Sequence, residues 1–355
     1  MRKMFRLGVV LVGCVWLAGC LTLPAHVAAE LEAAKPGEPN AYAARSPVPA
    51  AANVLVPPKT VRRDVTLNDL PLASGQIVVK DEGDAASLFV SLFAEDYSRW
   101  THVGIVALEA DGPVVYDTNG GFIPVPGLPP TTTFSGGMRR IPFAEYVSKE
   151  KIIGIYALPP GVDAGKVVTF ARIQYERNTP FDAYFDGDDA GALYCSELVA
   201  LALQAAGSAP IRQAALRANR SYAVIREWLH LRARQLFLPG QLIDPARKIA
   251  VWSAELSPLQ IEAFFEIRRE LTRRFDPQTR LGHLFRWTGT ALELRDEPQR
   301  FITASLAAFS SAASFASFVS NTDPTDNVRQ EVRRLADLHF SGTPSARNVA
   351  PSDGR

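Results

Sequence analysis

A chain of 355 residues is long enough to bury a sizeable core, as one large domain or two. Hydrophobic residues at 47% and charged residues at 21% exclude an intrinsically disordered chain. A formal net charge of +1 offers no bulk attraction for a polyanion and argues against nucleic acid as a main ligand.

The chain opens on the positive start MRKMFR, and the apolar run LGVVLVGCVW that follows is too short and wrongly flanked for a spanning helix. Leu17 to Cys20 then reads LAGC. An apolar residue, two small residues and a cysteine at this place resemble the lipobox of bacterial lipoproteins. The resemblance implies that residues 1–19 are a signal peptide cleaved before Cys20, with lipid added to the Cys20 sulfur and the new amino terminus. Several acyl chains on one residue anchor firmly, because each buried CH₂ adds roughly 0.8 kcal/mol. The expected partner is therefore a membrane, reached through the lipid on Cys20. Leu21 is not the acidic residue associated with inner-membrane retention, which favours the outer membrane, facing the periplasm. The alternative is an ordinary secretory signal in which Cys20 is incidental. With Cys14 removed and Cys20 lipidated, Cys195 remains as an unpaired thiol in an oxidising compartment. No Cys/His spacing suits structural zinc, and neither metal nor cofactor is expected.

Residues 20–60, rich in Ala and Pro, read as a tether. A folded domain is expected over 61–252. SGQIVVK (Ser74 to Lys80), HVGIVAL (His102 to Leu108), GPVVYDT (Gly112 to Thr118) and KIIGIYAL (Lys151 to Leu158) are strand candidates, with the Asp-Gly of EADG turning the second into the third. DAASLFVSLFAED has helical spacing, a second helix starts at Asp163, and a third runs from Leu193 to Ala206, ended by Gly207. The pattern is α+β, a small antiparallel sheet packed on helices. From residue 253 strand signals stop. Ser257-Pro258-Leu259-Gln260 is a capped helix start and Asp276-Pro277 repeats the device, so 253–340 read as a helical extension before a polar tail at 341–355. Phe301 to Val319 carries no charge but holds too much Ser and Ala for a membrane span, and packs as a helix.

Cys195 stands at the start of its helix, where free backbone N–H groups and the positive dipole end favour a thiolate. Glu197 suits that first turn simply as an acid near the dipole. Among the five histidines, His102 opens a strand just after a polar run and shares a face with Gly104 and Val106 by strand parity. With an even hairpin loop, Asp117 and Asn119 point to that same face. A carboxylate there orients the imidazole and stabilises its cation, and Cys, His and a third polar group are the parts for acyl transfer through a thioester.

WTHVGIV, VVYDT, TPFDAYFDGDDAGALYCSELV and the earlier SGQIVV resemble the permuted papain-like amidases, the YaeF/YiiX-like branch of the NlpC superfamily of cysteine hydrolases. The match spans about residues 74–207, with histidine before cysteine; LPGQLIDPARKI (Leu238 to Ile249) is loosely similar to the family's closing segment. The resemblance implies a permuted papain-like fold with Cys195 as nucleophile, His102 as general base and then acid, and Asp117 as the third residue where the family usually has Glu. Asn119 is the fallback. The oxyanion hole falls to the Cys195 backbone N–H, helped by Tyr194. Asp182 matches the family's Pro-Tyr/Phe-Asp motif and otherwise reads as a turn residue. Gln76 stands where Asp is usual. Asn119 to Tyr146 is longer than the family norm, either a lid or a surface excursion. Asp186, Asp188 and Asp189 lack a calcium loop's spacing and read as a solvated loop. The implied activity is amide hydrolysis on a cell-wall peptide or amino-acyl conjugate. A lipid acyltransferase of the same superfamily and a non-catalytic binding lipoprotein are the alternatives.

Overall fold

The structure is a computed structural model that describes residues 70–92, 94–95, 97–122, 134–148, 152–185, 191–217, 231, 233–275, 281–287, 292–310 and 324–341. The expected signal peptide, Cys20, the expected tether, residues 123–133 of the long segment, Asp186, Asp188, Asp189, Asp276-Pro277, 311–319 of the uncharged run and the residues from 342 lie outside the described residues.

The chain forms β1 (Ile77–Asp81), α1 (Ala85–Ser91), β2 (His102–Glu109), β3 (Gly112–Phe122), β4 (Phe134–Pro142), α2 (Phe143–Val147), β5 (Ile152–Tyr156), α3 (Ala164–Glu176) and α4 (Cys195–Ala205). After these come β6 (Ala214–Ala215), β7 (Gln235–Leu236), β8 (Lys248–Trp252), α5 (Pro258–Phe275), α6 (Leu281–Leu284), β9 (Phe285–Trp287), β10 (Leu292–Leu294), α7 (Asp296–Ala308) and α8 (Pro324–His339). The fold is α+β. Its centre is a six-stranded antiparallel sheet in the order β4-β3-β2-β1-β5-β8.

Both faces of the sheet are covered, which is why Ile77–Val79 of β1 and the whole of β5 are apolar without alternation. Ile77, Val79, Val103, Ile105 and Val114 pack against α3 and α4 through Val167, Ala171, Val199 and Leu203. The alternate residues Val78, Val106, Val115, Ile153 and Ile155 pack on Phe143, Tyr146 and Val147 of α2. Helix starts follow their caps: Asp84 accepts from the Ser87 N–H at 2.7 Å and Asp163 from the Lys166 N–H at 3.1 Å. Gly207, at φ 97°, closes α4 as its sequence position foretells.

Two sequence readings need correction. The described residues of the segment Asn119 to Tyr146 are mostly sheet: β3 runs on to Phe122 and pairs with β4, with Asp117 opposite Arg139 and Gly120 opposite Gly136. Gly136 sits at φ 137°, and a Cβ there would lie 2.3 Å from the Gly120 Cα, so the two glycines let the strands close. Strand structure also continues past residue 253, in the hairpin of β9 and β10. Three-residue strands are too short to show a period in sequence.

Of the helices after residue 257, α5 shares a core with the sheet. Ser257 and Gln260 form the expected capping box, the Ser257 N–H donating to Gln260 Oε1 at 3.0 Å and the Gln260 N–H to Ser257 Oγ at 3.3 Å. From α5, Ile261, Phe264 and Phe265 join the core under the sheet. Its other side, through Ala263, Ile267 and Leu271, joins Leu88, Phe301, Val328 and Val332 in a second core. Phe301 is thus wholly buried in protein. Among the described residues, no helix is long and apolar enough to cross a membrane.

Candidate active site

Cys195 is the first residue of α4, half-buried, behind Tyr194 in extended conformation. Its sulfur receives the backbone N–H of Val103 and lies 3.8 Å from Ser196 Oγ. Burial opposes ionisation of this thiol, but the charge of His102 and hydrogen bonds from His102, Ser196 and Val103 outweigh it, and its pKa falls below the ordinary thiol value.

His102 is the first residue of β2, paired in register with Lys80 of β1. Its Nε2–H donates to Asp117 Oδ2 at 2.8 Å. The parity argument holds: the register Val106 opposite Val115 carries His102 and Asp117 to one face. Gly104 makes the diagonal contact possible, since a Cβ there would lie 3.3 Å from the Asp117 Cβ and 2.6 Å from Val115 Cγ1. With Nε2 committed to Asp117, Nδ1 is the nitrogen left to exchange a proton with the sulfur. Burial disfavours the imidazolium; the Cys195 thiolate and the Asp117 carboxylate more than offset it and raise the His102 pKa to about 9. Lys80 acts in the opposite sense.

Asp117 is wholly buried, which by itself would hinder its ionisation. His102 and Arg139 overcome that and hold it at about 2. Arg139 reaches it with two bonds, Nε to Oδ1 at 2.9 Å and Nη2 to Oδ2 at 2.6 Å. Lys80, 4.7 Å over the Tyr146 ring, completes a row of charged side chains on four adjacent strands: Arg139, Asp117, His102, Lys80. Sequence reasoning passed over Arg139 and Lys80. The available signal was Arg139 in MRRIP, recognisable once that stretch is read as a strand paired with VVYDT.

The remaining candidates make these contacts. Glu197 accepts from the Tyr194 backbone N–H at 3.4 Å, a first-turn cap. The Tyr194 hydroxyl accepts from the Phe237 backbone N–H at 3.1 Å. Asp182 is buried and takes the Tyr184 N–H at 2.9 Å, an Asx turn. Asn119 is half-buried opposite Gly137, and the carboxylate that meets His102 is that of Asp117. Gln76 ties down residues 71–73, accepting from the Ala73 N–H at 2.9 Å and donating to the Pro71 carbonyl at 3.0 Å. His283 and His339 pack against Phe275 and Phe301, in the second core. Among the described residues, no group of three or more His, Cys, Asp or Glu side chains could hold a metal ion.

The architecture is thus an α+β fold that brings a cysteine at a helix start to a histidine–aspartate pair on its sheet. No family model matches the chain, and no curated protein matches it. Among solved structures, the crystal structure of metalloprotein yiiX from Escherichia coli O157:H7, DUF1105, is similar at 18% identity and a TM-score of 0.37. The likeness covers 51% of this chain and 97% of that one, too slight to place the chain in a family.

Proposed function

We propose that this chain is a lipid-anchored cell-envelope cysteine hydrolase of the permuted papain-like type, cleaving an amide bond in a cell-wall peptide or amino-acyl conjugate. The observation that carries the reading is the 2.8 Å bond from His102 to Asp117 beside a Cys195 thiol of lowered pKa. A thiol of lowered pKa beside an imidazole held by a carboxylate is the arrangement that activates a cysteine for attack, which favours an enzyme over a binding protein.

In this reading the Cys195 thiolate attacks the scissile carbonyl carbon, and the carbonyl electron pair moves onto oxygen. The Cys195 backbone N–H, in the helical turn whose amides have no intrahelical acceptor, receives that oxyanion. The tetrahedral adduct collapses as the imidazolium of His102 gives its proton to the leaving nitrogen, so the C–N bond breaks and a thioester remains. Water then attacks the thioester while neutral His102 takes its proton. The acid leaves, and the thiolate and imidazolium are restored. Asp117 stays ionised throughout, holding Nε2–H and stabilising the cation.

The proposed anchor is Cys20, and Leu21 after it favours the outer membrane, facing the periplasm, over the inner membrane. Envelope peptides and wall fragments incubated with the full-length lipidated protein should show mass changes of amide hydrolysis, and C195A should lose about 10³-fold or more in rate. Turnover by C195A equal to wild type refutes the reading.

A further inference from the structure

Asp117 and Arg139 face each other in register on β3 and β4. The Arg139 backbone is held in turn: its neighbour Met138 donates its N–H to the Thr179 carbonyl at 2.9 Å, and Gly137 bridges to Pro180. The guanidinium therefore meets the carboxylate from a fixed base. The three bonds at Asp117 share one geometry. Arg139 Nε takes Oδ1, and Arg139 Nη2 and His102 Nε2 both take Oδ2. A carboxylate turns easily about its terminal torsion, and a turn here breaks all three bonds at once. Arg139 is one-third exposed while Asp117 is wholly buried, so the guanidinium stands between the carboxylate and solvent.

We propose that Arg139 is a positioning residue of the catalytic site: its two-pronged contact fixes the Asp117 carboxylate in the orientation that presents Oδ2 to His102. The proposal rests on the reading of Cys195 and His102 as the reactive pair. Charge alone does not suffice for this task. A lysine at the position supplies a cation but a single point of attachment, which leaves the carboxylate free to turn. The edge strand β4, read in sequence as a lid or an excursion, thereby becomes part of the catalytic apparatus.

The test follows the rate of Cys195 alkylation by iodoacetamide against pH in the full-length chain, with C195S subtracted and thermal unfolding recorded for every variant. In R139Q the acid limb should move to higher pH, and alkylation at mildly acidic pH should slow by about 10-fold or more, the scale on which supporting partners of a reactive group act. R139K should resemble R139Q. The double variant D117N/R139Q should be no slower than D117N, because Arg139 acts through Asp117. A folded R139Q or R139K with the wild-type profile overturns the proposal, as do additive effects of D117N and R139Q. If R139Q does not fold, R139K is read by the same criteria. An ordinary thiol profile in the wild type itself would remove the reactive pair and the proposal with it, and so is distinguishable from a failure of Arg139 alone.

Discussion

Asp117 and Asp81 are both wholly buried aspartates of one sheet, on strands separated by β2, yet their acidities move in opposite directions. At Asp81 burial prevails and raises the pKa. Its one cationic bond comes from Arg268 Nη1 of α5 at 2.8 Å, supplemented by the Gly83 N–H at 2.7 Å and the Ser87 hydroxyl at 3.3 Å. Among the described residues, the Nε and Nη2 of that buried arginine find no hydrogen-bond partner. At Asp117 three bonds from two cations, all within 2.9 Å, overcome the same burial. Depth alone does not set the direction in which a carboxylate's acidity moves; the number and fit of the cationic donors decide it. One aspartate is equipped to keep a neighbour protonated, and the other pins a helix to the sheet.

Substitutions should separate these two roles. D117N keeps the shape but removes the charge and should lower turnover by about 10²–10⁴-fold, the range of acid–base assistance, with the Cys195 thiolate lost at acid pH. D81N should leave the Cys195 alkylation profile unchanged in folded protein. If D81N shifts that profile as far as D117N does, the division of labour is wrong.

The next effect is on stability. D81A leaves the Arg268 charge buried without its counter-ion, which should cost about 3–5 kcal/mol in denaturant unfolding. A cost below about 1 kcal/mol would mean that the pair does not tie α5 to β1.

The pH dependence gives a finer discrimination. Asp117 has a folded pKa of about 2 against an ordinary 3.8, so its contribution is complete above 3.8 and is lost as pH falls toward 2. Asp81 has a raised folded pKa, so its contribution runs the other way, greatest below 3.8 and lost as pH climbs through the raised value. Unfolding curves across acid pH should therefore flatten in D117N relative to wild type below 3.8, and an unchanged slope contradicts the assignment. The smallest effect belongs to Lys80, whose charge opposes the imidazolium: K80M should shift the basic limb of His102 titration slightly upward, observable by NMR of the ring protons.

How much of this was legible before the coordinates differs along the same sheet. β1, β2 and β5 are rich in β-branched residues and β3 opens on Pro113-Val114-Val115 after a turn signal, and an even hairpin loop brings both Asp117 and Asn119 to the face of His102. β4 was not legible, because FSGGMRRIP has two glycines and two arginines where an apolar alternation would be sought. With β4 unseen, Arg139 had no partner to suggest it. The approach of Cys195 to His102 is a matter of tertiary packing, 93 positions apart in the chain (195 − 102), and no local period encodes it. Asp81 and Arg268 are hidden for the same reason, since the bond between them spans 187 positions. The capping residues Asp163, Ser257 and Gln260 lay open to reading because their bonds close within three residues.

The central claim is that Cys195 exists as a thiolate supported by His102. The ultraviolet thiolate absorbance of the full-length protein, minus that of C195S, measures it directly as pH is lowered. The account predicts that the signal persists well below the ordinary thiol pKa and disappears in H102A. A difference signal that titrates at the ordinary thiol value, unaffected by H102A, contradicts it.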